Sequence, residues 1–222
     1  RKNLKQTYDP NWGGGRPEER GLRLCERYYI AFGKLMLERN FGAVLPRLAI
    51  GLAGEGSECL GYDDALSRDH DFGAGFCIWV PDDLPEETVQ QLRNAYAVLP
   101  KSYCGVSRVA MPEADGRVGV CRQSAFFRRL LGTDGVPETE AQWLEIESGM
   151  LAAACSGGSF FGTTPAASRR WRRKLSLGYP EEVRLRRLAQ ALGRMAQCGQ
   201  YNYPRMRQRG DYATAQLYLT EF

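Results

Sequence analysis

Gly54-Glu55-Gly56-Ser57-Glu58-Cys59-Leu60-Gly61-Tyr62-Asp63-Asp64-Ala65-Leu66-Ser67-Arg68-Asp69-His70-Asp71-Phe72-Gly73 is the stretch on which the fold turns. Before it runs Leu48-Ala49-Ile50-Gly51-Leu52-Ala53, a short apolar run that suits a buried strand. Gly54 to Ser57 then reads as a tight turn leading into a helical start. Asp69 and Asp71 stand two residues apart, so on a strand both carboxylates point to one face and His70 to the other. Such a pair concentrates negative charge that a hard divalent cation satisfies through oxygen ligands. Mg²⁺ fits, because it commonly binds one or two carboxylates plus substrate phosphates. Gly56-Ser57 offers backbone N–H groups and a hydroxyl, and a turn of that kind can cradle a triphosphate against the metal. The plainer alternative makes Ser57 an ordinary helix N-cap. Glu58, Asp63 and Asp64 read as loop and cap residues, His70 as a hydrogen-bonded core residue, and Arg68 as a partner for an aspartate or a phosphate.

Working outward, residues 1–21 are polar and rich in glycine and proline, which suggests a linker or arm. Cys25, Tyr28, Phe32 and Met36 recur at helical spacing between Leu22 and about Asn40. A second strand is expected around Asp69 to Val80, where Phe76, Ile78 and Val80 alternate with Cys77 and Trp79. Asp82-Asp83-Leu84-Pro85-Glu86-Glu87 marks a helix start, with the helix running to about Leu99. Arg117 to Arg122 offers a third strand, and a helix follows near Ser124–Leu131. Thr139 and Gln142 form a capping box for another. From about Ser168 the pattern is helical. Pro180 opens a helix striped by Leu185, Leu188, Leu192 and Met195, and another runs from about Pro204 to the end. The organisation expected is an arm (1–21), an α/β domain (22–135) and a helical domain (136–222).

Apolar residues make up 43% and charged residues 25%, a balance that excludes a disordered chain. No apolar run approaches the roughly 20 residues of a membrane-spanning helix, so no membrane partner is expected. The chain opens on an arginine with no secretory pattern after it and reads as cropped from a longer protein. Seven scattered cysteines without a CxxC read as reduced, buried thiols of a cytoplasmic protein. The single histidine has no ligand cluster around it, which argues against zinc. Arg169-Arg170-Trp171-Arg172-Arg173-Lys174 is the best candidate for nucleic-acid contact, although such runs are usually solvated faces with the Trp packed inward. Tyr201, Asn202, Tyr203 and Arg205 suggest either an acceptor pocket or a helix–helix turn.

The apolar strand, the Gly-Ser turn, a short spacer and Asp-x-Asp together resemble the DNA polymerase β-like nucleotidyltransferase superfamily. Here eleven residues separate Ser57 from Asp69. The run from Gly54 to Asp64, followed by Ser67-Arg68-Asp69-His70-Asp71-Phe72-Gly73, is similar to a bacterial subfamily of unknown function within that superfamily. Gln142-Trp143-Leu144, Tyr179-Pro180-Glu181-Glu182-Val183 and Gln200-Tyr201-Asn202-Tyr203 carry the same likeness, which extends over residues 22–222.

The resemblance implies an α/β (α+β) fold, a small mixed β-sheet of the nucleotidyltransferase type flanked by helices, and a helical C-terminal half. It further implies that Gly56 and Ser57, with Arg68, bind nucleotide, and that Asp69 and Asp71 are the catalytic Mg²⁺ ligands. The activity implied is transfer of a nucleoside monophosphate, AMP from ATP, to a small-molecule, protein or RNA acceptor. One feature departs from the superfamily. Its third carboxylate sits on a later strand, whereas Arg117-Val118-Gly119-Val120-Cys121-Arg122 supplies none, and Ala125 and Gly162 stand where relatives carry aspartate. Glu145 and Glu147 are the nearest substitutes in sequence. The alternative is therefore a degenerate member that binds nucleotide, or a protein or RNA partner, without chemistry.

Overall fold

The computed structural model describes residues 20–64, 67–68, 72–109, 117–155, 159–162 and 166–222. They form two compact units, one running to Val136 and taking in Ser148–Ser176, the other made of Pro137–Glu147 and Leu177–Phe222.

The first unit opens with helix α1 (Gly21–Tyr28), a π-helical turn (Tyr29–Gly33) and α2 (Lys34–Asn40). Strand β1 (Ala49–Leu52), the short helix α3 (Ser57–Leu60), β2 (Cys77–Val80) and α4 (Glu86–Ala97) follow. Next come the hairpin β3 (Ser102–Tyr103) and β4 (Val106–Ser107), then β5 (Gly119–Arg122) and α5 (Gln123–Leu131). In the second unit α6 (Glu140–Glu145) comes first. The chain then returns to the first unit for α7 (Ser148–Cys155), β6 (Ser159–Phe160) and α8 (Ala166–Leu175). The two compact units thus divide the chain differently from the expected boundary at 135, with 148–176 belonging to the first unit. The reason lies in the sheet. Its order is β5-β2-β1-β6, so β6 covers the edge of β1 that would otherwise lie open, pairing Gly51 with Phe160 antiparallel.

The sheet is small and mixed. β1 and β2 run antiparallel with Ile50 opposite Ile78, while β2 and β5 run parallel with Ile78 opposite Val120. All four residues of β2 are buried, so the alternation read in the sequence places side chains in two layers rather than core against solvent. Phe76, Ile78 and Val80 join the main core with Leu24, Tyr28, Leu37 and Leu92. On the other face Trp79 meets Phe126 of α5 edge to face, with ring centres 5.4 Å apart. Phe76 sits among Tyr29 and Tyr96 at 5.3 and 5.0 Å. A Cβ on Gly33 would lie 2.4 Å from its ring, so the π-helical turn passes this aromatic only because residue 33 has no side chain. Among the described residues the expected second strand spans Cys77–Val80, Ala74 makes an isolated bridge to Arg108, and the start expected around Asp69 lies outside the described residues.

In the second unit, the capping box of α6 forms as the sequence suggests. α9 (Glu181–Met195) begins directly after Pro180 and continues through a π-helical stretch (Ala196–Asn202) into α10 (Tyr203–Gln208). Tyr201 and Tyr203 therefore lie on continuous helix rather than at a helix–helix turn. That turn falls at Gly210 (φ +77°), after which Asp211 caps α11 (Tyr212–Glu221) by accepting the Thr214 N–H at 3.0 Å. Arg187 ties α9 to α6 by donating to the Leu144 carbonyl at 3.0 Å while stacking over Tyr179. Leu185, Leu188, Leu192 and Met195 stay substantially exposed. Among the described residues no helix is long and apolar enough to cross a membrane.

Candidate functional site

β1 delivers the chain to Gly54, whose φ of +127° makes the turn that an L side chain would resist. Gly56, not Ser57, then occupies the N-cap position of α3, in extended backbone (φ −64°, ψ 141°). Its carbonyl accepts from the N–H groups of Cys59 and Leu60. Ser57 is the first helical residue, so the reading of its hydroxyl as a helix cap is corrected. Being a single turn long, α3 ends at once on Gly61 in the left-handed region, where Tyr62 N–H returns to the Ser57 carbonyl at 2.9 Å.

Both acids of this corner are held by arginines from the far end of the sheet. Arg117, just before β5, pairs with Glu58 in the first turn of α3, and the two side chains are only 11% and 12% exposed. Arg129 on α5 pairs with Glu55 at 2.5 Å. Gly56 is demanded by the first pair, since a Cβ there would lie 2.6 Å from the Glu58 carboxylate and 2.7 Å from the Arg117 guanidinium. Cys25, Cys59, Leu52 and Val118 pack alongside as a small apolar cluster. Burial pushes the Cys25 and Cys59 thiols up to about 12, with the Glu58 carboxylate raising both further and Arg117 opposing it.

The acids further along the loop have structural work. The Asp63 carboxylate accepts the N–H groups of Gly21 and Leu22 at 2.6 and 3.1 Å, capping α1 from forty-two residues away. Asp64 accepts the Ser67 N–H at 3.0 Å. Arg68 lies exposed with its guanidinium 5.1 Å from the Phe72 ring centre. Asp69 and Asp71, with His70, lie outside the described residues. Beside α3 an open cleft of about 600 Å³ is walled by Arg20 and Arg23 on one side and by Glu58, Tyr62 and Asp64 on the other.

Around β5, where the sequence resemblance led us to expect a third carboxylate, arginines stand instead, Arg117 just before the strand and Arg122 at its end. Arg117 serves the corner, and Arg122 gathers the carbonyls of Asp82 and Leu84 and the carboxylate of Glu86. Glu145 and Glu147 belong to the second unit. Among the described residues no three His, Cys, Asp or Glu side chains group as metal ligands. In the basic stretch Trp171 packs edge to face on Phe127 at 5.2 Å, and Arg172 donates to the Cys155 carbonyl, while Arg173 and Lys174 face solvent.

Residues 143–222 match the family model described as a domain of unknown function (DUF4037). No curated protein and no solved structure matches the chain. The stretch matched to DUF4037 contains α7 to α11 and ends at the last residue, so the glycine corner and its two ion pairs lie outside it.

Proposed function

We propose that the first unit binds a nucleoside triphosphate at the Gly54–Ser57 corner and is a nucleotidyltransferase. Gly56 and Ser57 hold the β- and γ-phosphates, and Arg68 adds a cation to the nucleotide. Asp69 and Asp71 offer the oxygen donors that Mg²⁺ takes, completed by the substrate's phosphates. When bound, Mg²⁺ neutralises charge on the transferring group. The chain itself supplies position, fixing the phosphates so that an acceptor hydroxyl or amine meets the α-phosphate in line. AMP from ATP is the group proposed to move, to a small-molecule, protein or RNA acceptor. The observation that carries this reading is the order of elements. A buried strand ends in a two-glycine corner, and the next strand of the sheet returns antiparallel beside it, just after the Asp-x-Asp. The cleft beside α3 lies in the range typical of ligand sites.

The test is nucleotide binding with and without Mg²⁺ by the parent and by Asp69→Asn/Asp71→Asn. The parent should show a Mg²⁺-dependent gain that the variant lacks. Equal affinity in both would remove the metal site. A second reading, nucleotide binding without transfer, is favoured by β5, the strand where the resemblance places a carboxylate, carrying none and being led in by Arg117. Label transfer from α-labelled ATP to any acceptor would exclude it.

A further inference from the structure

The glycine corner carries two carboxylates and receives two guanidinium groups. Glu55 meets Arg129 and Glu58 meets Arg117, partners 74 and 59 residues apart in the chain and drawn from different elements. Both cations lie against the corner backbone itself. Arg117 occupies the space a Gly56 side chain would fill, and Arg129 Nη2 lies 3.8 Å from the Cβ position of Gly54. Two residues of extended backbone span at most about 7 Å, so the cations flank a length that a triphosphate can cover. Arg129 also keeps a donor in hand, since its Nε–H is buried with no hydrogen-bond partner among the described residues.

Simple stapling accounts poorly for this arrangement. Half-exposed pairs such as Glu55–Arg129 contribute little stability, and buried ones spend most of their attraction on desolvation. The four charges sum to zero, so a polyphosphate approaching the corner meets two glutamates already holding the groups best shaped for it. Guanidinium forks donate to carboxylate and to phosphate oxygens in the same bidentate geometry.

We infer that Glu55 and Glu58 are internal anion surrogates, which hold Arg129 and Arg117 until a polyphosphate displaces them. The arginines then neutralise the phosphate chain. This rests on the nucleotide reading of the corner and adds to it a self-competing site with a component of affinity independent of metal.

The experiment measures binding of inorganic tripolyphosphate and of ATP in EDTA by calorimetry, with thermal unfolding followed for each variant. Glu55→Gln and Glu58→Gln should bind tripolyphosphate more tightly than the parent, by about 5- to 10-fold, whereas Arg117→Gln and Arg129→Gln should lose about 10-fold or more. Glu55→Gln, at the more exposed pair, keeps the test decisive if Glu58→Gln folds poorly. Glutamine variants that melt earlier yet bind no tighter would reduce the pairs to staples and overturn the inference, leaving the nucleotide reading intact if the parent still binds ATP with Mg²⁺. A parent that binds neither ligand under any condition overturns both.

Discussion

Asp63 caps a helix that began forty-two residues earlier, its carboxylate taking both the Gly21 and the Leu22 N–H. A negative group at a helix N-terminus satisfies donors that the helix cannot, and it opposes the positive end of the helix dipole. The cap makes the loop after α3 and the start of α1 a single element. Asp63→Ala should cost about 1 kcal/mol of stability, with Asp63→Asn recovering part of it, as read from urea midpoints. No loss in either variant would show that the two N–H groups are served equally well by water.

The Glu58–Arg117 pair should behave as a buried pair does. Losing one partner leaves an uncompensated charge, so Arg117→Met and Glu58→Leu should each cost about 3 kcal/mol. The double replacement should cost much less than their sum, because no charge is then stranded. Gly56→Ala should be damaging too, since its methyl would press into both charged groups. An additive double mutant would contradict this.

The thiols give a pH dependence. Cys25 and Cys59 have folded values near 12 against an ordinary 9.0, so between these limits the unfolded chain releases protons that the folded chain retains. Stability contributed by each thiol is therefore complete below pH 9 and falls as pH rises, by roughly 1.4 kcal/mol per unit. Cys25→Ala should make that alkaline decline shallower. At pH 8 a thiol reagent should modify the exposed Cys104 first and leave Cys25, Cys59 and Cys77 unreacted until the chain unfolds.

Cys104 has φ +52° and Gly105 +81°, which turns the β3–β4 hairpin with the twist its strands prefer. Cysteine gains nothing from that conformation, whereas asparagine tolerates it. Cys104→Asn should stabilise by about 0.5 kcal/mol, visible as a raised urea midpoint with an unchanged slope.

Much of the sheet was legible in the sequence because β1, β2 and β5 are short apolar runs between turn residues. α6 and α9 were legible because Thr139–Gln142 and Pro180 mark their starts. β6 was not, for a two-residue strand has no period to detect, and the return of the chain to the first unit was hidden with it. The corner was legible as glycine, but its ion pairs were not. Nothing in the spacing of Glu58 and Arg117, or of Glu55 and Arg129, announces a contact that only the parallel β2–β5 pairing creates. The same blindness hid the role of Asp63.

β2 is bonded along both edges, to β1 on one side and β5 on the other, and covered on both faces. Its amide protons can reach solvent only when the whole unit comes apart, which makes residues 77–80 the slowest-exchanging reporters of global unfolding. Protection measured there sets the ceiling against which any ligand's effect on exchange nearer the glycine corner is to be judged.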